Sequence, residues 1–181
     1  LQPQSILSES SQTIGTETSK IRITSNNNVD YSHQNGWYMD LVVGSVGPAG
    51  ERVIADPQIR TAQTSALLLF NTFVPGGSCQ SVGGSSALMA IDALTGSRTS
   101  FAVFDLNNDG TIDSSDNDPS SGLAVSGRVG QQSVSAVTVI SSGDATESYV
   151  IQSSTQSVNP TVSTVTGAST SLGRQSWRQL Q

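Results

Sequence analysis

The sequence predicts an all-β fold of antiparallel sheets, of the sandwich, barrel or propeller kind, that carries a calcium-binding loop. Three observations predict it. Short apolar or alternating runs recur along the chain and are separated by Gly- and Pro-bearing turns. No clear amphipathic helix flanks the most acidic stretch. That stretch, Asp105 to Asp116, spaces its oxygen-bearing residues as a hard cation requires.

Taken in order, residues 1–19 are polar with isolated aliphatics and read as a lead-in or linker. The domain proper is expected over 20–181. Lys20 to Thr24 alternates, with Ile21 and Ile23 inward. Gly36 opens a strand over Trp37 to Val43, with Trp37, Met39, Leu41 and Val43 on one face. Glu51 to Ala55 is a strand stopped by Asp56-Pro57. Ser65 to Val74 is the most apolar run and reads as a central buried strand. Ser86 to Asp92 is another, and Ala93 to Gly96 turns it. Asp92 is placed to bond its own turn and Gly96 to take a positive φ. Ser100 to Phe104 returns as a strand into the loop. Residues 123–129, 133–140, 147–151 and 161–165 are shorter strand candidates.

The loop places Asp105, Asn107, Asp109, Asp113 and Asp116 at positions 1, 3, 5, 9 and 12. Thr111, at position 7, offers its backbone carbonyl. Gly110 at position 6 permits the sharp turn, having no Cβ to clash. Ile112 points the other way and would anchor the loop in an apolar core. Position 12 holds Asp rather than the longer Glu. Four carboxylates so close repel one another, so Ca2+ would relieve the crowding and the loop should be loose without it.

Composition narrows the function classes. Net charge is -6, and only 12% of residues are charged. Lys20 is the lone lysine and no basic run exists, which argues against nucleic acid and anionic membranes as partners. No stretch reaches the apolar length of a membrane span. Cys79 is the single cysteine and has no internal partner. A start at Leu1 rather than Met reads as a processed product or an excised piece.

No catalytic set emerges. His33 lies in an Asn-rich loop without a nucleophile motif, and Cys79 is not in a redox pair. Asp40 and Asp56 have no spacing that shows a shared cleft. Gly44, Gly47 and Gly50 lack the phosphate-loop Lys. The chain is therefore expected not to be an enzyme.

Two resemblances sharpen this. The apolar strand running into Asp92-Ala-Leu-Thr-Gly96 resembles the strand-and-turn signature of quinoprotein-type propeller blades. At roughly 45 residues per blade, the chain supplies too few to close a ring, so further chain or another chain would complete the fold. More broadly, several motifs occur in order: Arg22 to Ser25, Gly36 to Leu41, Gly50 to Val53 with Asp56-Pro57, and Phe70 to Pro75. Cys79, Gly83 to Ser86, Leu88 to Gly96, Phe104-Asp105 and the closing Gly173 to Arg178 follow. This set resembles the C-terminal domain of PilY1-type proteins. The resemblance implies a partial or modified β-propeller with an EF-hand-like calcium loop. It carries calcium ligation onto Asp105, Asn107, Asp109 and Asp113, with Asp116 as an addition.

It further implies a place at the tip of a type IV pilus, on the surface of a Gram-negative bacterium after export through the periplasm. The role would be in pilus biogenesis, extension and retraction in twitching motility, and adhesion. Partners would be minor pilins or the assembly machinery, and a host or surface receptor. The alternative from the residues is a secreted carbohydrate-binding or scaffold module. There calcium is purely structural, and Trp37, Tyr38 or Tyr149 meets sugar.

Overall fold

A computed structural model describes residues 1–14, 17–43, 50–62, 65–75, 84–130, 133–134, 138–141, 146–154 and 161–168. Cys79, Gly44, Gly47, Gly83 and the closing segment with Trp177 lie outside the described residues. The chain runs β1 (Gln2–Ile14), β2 (Glu17–Thr24), β3 (Trp37–Val43), β4 (Arg52–Val53), β5 (Gln58–Ala62), β6 (Ser65–Val74) and β7 (Ser85–Asp92). After the acidic loop come β8 (Gly127–Gly130), β9 (Ser133–Val134), β10 (Thr138–Ser141), β11 (Thr146–Ser154) and β12 (Thr161–Ala168).

One eight-stranded sheet has the order β3-β1-β2-β8-β7-β6-β4, with β5 also on β6. A four-stranded sheet has the order β10-β11-β12, with β9 on β11. This corrects the propeller expectation. A propeller repeats small local sheets, one blade after the next. Here β2 pairs with β8 across more than a hundred residues, Lys20 opposite Val129. In addition β1 runs parallel to β3, Gln2 opposite Trp37. Long-range and parallel pairings of this kind merge the strands into one continuous sheet.

The stretch read as a polar lead-in forms β1, the longest of the described strands. Its backbone pairs on both sides, with β2 and β3. Ile6 is buried, and so is Gln4, whose amide is fully used. Gln4 Nε2 donates to the Asn27 and Thr95 carbonyls at 2.7 Å each, and Oε1 accepts from Ser25 and Asn27. A polar strand is stable here because its buried polar groups are satisfied.

Both faces of the main sheet are covered. Alternation sends Ile21 and Ile23 into one core with Leu67, Leu69, Leu88, Ala90, Val103, Phe104, Leu106, Val125 and Tyr149. The opposite face holds Phe70, Ala87, Met89 and Ile91, packed by Trp37, Met39 and Leu41 of β3. The expected return strand over Ser100 to Phe104 is irregular apart from a single bridge at Phe104. Ala102, Val103 and Phe104 are all buried, so the segment has no solvent face on which to alternate.

Arg22, between the two inward isoleucines, is buried with two carboxylates. It bonds Glu9 at 3.0 Å and grips Glu51 through both terminal nitrogens, at 2.5 and 3.0 Å. Lys20 also reaches Glu9, at 2.9 Å. Burial pushes the Glu9 carboxyl up, but bonds from Lys20 and Arg22 and their charges outweigh it, so its pKa is lowered. Burial likewise raises Asp118, and the Ser121 and Ser120 hydroxyls and N–H groups more than offset it. Both groups therefore bind protons more readily unfolded than folded. Their contribution is present above the unfolded pKa, about 4, and is lost as pH falls through the folded one. Thermal unfolding followed by circular dichroism should give a midpoint that is flat from neutrality to about pH 5 and drops below about pH 4. Glu9→Gln should blunt the drop; an unchanged profile would rule Glu9 out as a source.

Candidate metal centre

The acidic loop is mounted on the first core. Phe104 is buried, and its ring makes a T-shaped contact with Tyr149 of β11, centroids 6.5 Å apart at 88°. Leu106, at loop position 2, is buried in the same core. Leu106 is thus the apolar anchor, whereas Ile112 is only half-buried.

The loop is not EF-hand-like, which corrects the second half of the fold expectation. Among the described residues there is no α-helix, and a three-residue 3-10 turn, Ser114–Asp116, is the helical element of the loop. The entry is a buried extended segment. The exit reaches Pro119 directly, and a residue before proline is pushed out of helical backbone.

Within the loop the side chains fold back onto the chain's own N–H groups. Asp105 Oδ1 accepts from Asn108 N–H at 2.6 Å and Oδ2 from Gly110 N–H at 3.0 Å. Asn107 Oδ1 accepts from Asp109 N–H at 2.9 Å. Asp109 Oδ1 accepts from the Thr111 N–H at 2.8 Å and hydroxyl at 2.6 Å. These Thr111 bonds, with a further one from Asn107, hold the exposed Asp109 carboxyl below its ordinary pKa. Asp113 Oδ1 caps the 3-10 turn by accepting from Ser115 N–H at 2.7 Å. Gly110 has φ +83°, the backbone region that glycine enters without penalty.

The donor set suits a hard cation in kind: carboxylates, an amide oxygen and a backbone carbonyl at positions 1, 3, 5, 7 and 9. Asp105 is nearly buried, while Asn107, Asp109, Thr111 and Asp113 stand exposed on one loop. The carboxylates are not drawn together, however. Among the described residues no group of three or more His, Cys, Asp or Glu is close enough to hold a metal ion. Asp116 is different again: it is 1% exposed, and both of its oxygens face backbone N–H groups.

The other candidates stay apart. His33 Nδ1 takes both Asp30 and Ser32, each at 2.7 Å. A relay needs the hydroxyl on the opposite ring nitrogen, so this trio is a local turn. Asp40 on β3 and Asp56 after β4 are both exposed, and neither is drawn into a group of acidic residues that could hold a metal ion among the described residues. Tyr149 is fully buried and cannot meet a sugar. Trp37 packs on the second core and donates to the Ala93 carbonyl at 3.1 Å, while Tyr38 stays exposed.

No protein-family model matches the chain. It is 30% identical over 189 residues to the type IV pilus biogenesis factor PilY1 of Pseudomonas aeruginosa, covering 100% of this chain and 15% of that protein. A PilY1 homolog of Xylella fastidiosa is 42% identical over 77 residues, which is 41% of this chain and 5% of that protein. The chain therefore spans only a small part of these relatives. The crystal structure of the Pseudomonas aeruginosa PilY1 C-terminal domain matches with a TM-score of 0.69 at 26% identity, over 92% of this chain and 31% of that one.

Proposed function

We infer the function of this chain from its kinship: it is part of the C-terminal domain region of a PilY1-type protein. It serves type IV pilus biogenesis and adhesion as a structural module, not as an enzyme. It works outside a Gram-negative cell, at the pilus tip, against minor pilins or the assembly machinery and a surface receptor. Extension and retraction of the pilus are the motions it would bear on. No helix among the described residues is long and apolar enough to cross a membrane. The strand order ends on β3 at one side and on β4 and β5 at the other. Those edges are where a strand of another chain would add.

The module binds calcium through its acidic loop. The side chains of Asp105, Asn107, Asp109 and Asp113 and the Thr111 carbonyl would hold the ion. The observation that carries this is the run of turns at positions 1, 3 and 5, closed at Gly110 and seated on buried Phe104 and Leu106. The exposed Asp109 and Asp113 side chains are free of tertiary packing that would stop them from swinging inward. Bound calcium would draw these carboxylates together and neutralise them, so its binding energy adds to local folding energy. Asp105→Ala should weaken calcium at least about tenfold by titration calorimetry, because the buried ligand at position 1 is lost. An affinity equal to wild type would defeat the assignment.

A further inference from the structure

Asp116 stands where a calcium loop ordinarily places its last ligand. In this chain its oxygens are committed elsewhere. Oδ1 accepts from Leu106 N–H at 2.8 Å and from Asn107 N–H at 3.2 Å. Oδ2 accepts from Asp113 N–H at 3.0 Å. Hydrogen bonds to a carboxylate are roughly twice as strong as neutral ones. The side chain is nearly sealed from solvent, unlike Asp109 and Asp113. The 3-10 turn over Ser114–Asp116 aims it back at the loop's entry. One carboxylate thus joins loop positions 2, 3 and 9, across the loop from its start to its end.

We propose that Asp116 is a positioning residue rather than a ligand: it fixes the backbone of Asn107 and Asp113 for the cation before the cation arrives. The proposal rests on the calcium reading and deepens it. A loop held this way spends less ordering free energy on binding than one that is slack without metal. The missing Glu at position 12 then has a reason. A longer side chain would reach past these three N–H groups, and the loop would lose its tie.

The test uses the 181-residue chain with calcium and with terbium as a luminescent stand-in. In chelator, amide exchange by NMR should show Leu106, Asn107 and Asp113 N–H protected in the wild type. Asp116→Asn presents an NH2 to one of these donors and should expose the Asp113 amide. It should weaken calcium about tenfold, as loss of a supporting partner does. The number of waters on bound terbium, read from luminescence lifetimes in H2O and D2O, should stay at the wild-type value. Asp116→Glu should also bind calcium more weakly than wild type. A water gained in Asp116→Asn, tighter calcium in Asp116→Glu, or unprotected amides in the metal-free wild type would each overturn the proposal. A wild type that binds neither ion would instead overturn the calcium reading beneath it.

Discussion

Arg22→Ala should lower the unfolding free energy by about 3–5 kcal/mol, the usual cost of removing one partner from a buried ion pair. Arg22 and Glu51 side chains are 4% and 5% exposed, and the guanidinium meets both Glu51 oxygens as a fork. Truncation at 22 would leave Glu51 buried without its countercharge. The contact also joins β2, inside the strand order, to the segment entering β4 at its end. Its loss should loosen that terminal strand first. The double replacement Arg22→Met with Glu51→Leu should recover most of the deficit, since burying apolar groups of similar size removes the desolvation cost of both charges. Urea denaturation of the wild type and the two variants decides the matter. A deficit under about 1 kcal/mol for Arg22→Ala would place the pair among weak surface bridges.

Gly96→Ala should cost about 2–5 kcal/mol, from two additive sources. Gly96 closes the turn after β7 at φ +68°, where an L side chain is strained by about 1–2 kcal/mol. A Cβ there would also lie 2.1 Å from Trp37 Cδ2 and 2.3 Å from Cε3. The indole must move, giving up its bond to the Ala93 carbonyl and its place on the second core. Gly122→Ala separates the two effects. Gly122 has φ +69° with nothing within 4 Å, so it should cost only the backbone part. Equal losses for the two variants would mean that the Trp37 contact contributes nothing.

What the sequence made legible follows from where side chains report on structure. The strands β2, β6 and β7 bury one or both faces, so their apolar runs announce them. The turn at Asp92 was also readable. Asp92 Oδ1 accepts from the Leu94 and Thr95 N–H groups at 2.9 Å each, a local bond that needs no tertiary partner. By contrast β1 is held by two backbone ladders, which carry no side-chain signal, and its burial of Gln4 depends on carbonyls 23 and 91 residues away. Short β5 pairs, among the described residues, with β6 alone and leaves Ile59 exposed, so its one isoleucine marks no inward face.

The acidic loop was legible in its turns, because positions 1, 3 and 5 bond N–H groups two to five residues on. Its anchor and its brace were not. Both depend on which way the chain enters from the core and folds back, and spacing alone does not encode that. The continuous sheet was hidden for the same reason: the pairing of β2 with β8 joins segments too distant for any local pattern to link.

The most direct measurement is a crystal structure of this chain grown in millimolar calcium. We expect one ion bonded at about 2.4 Å to oxygens of Asp105, Asn107, Asp109, Asp113 and Thr111, with Asp116 still turned to the backbone of Leu106 and Asp113. A map with no ion there, and with Asp109 and Asp113 left pointing into solvent, would contradict the account.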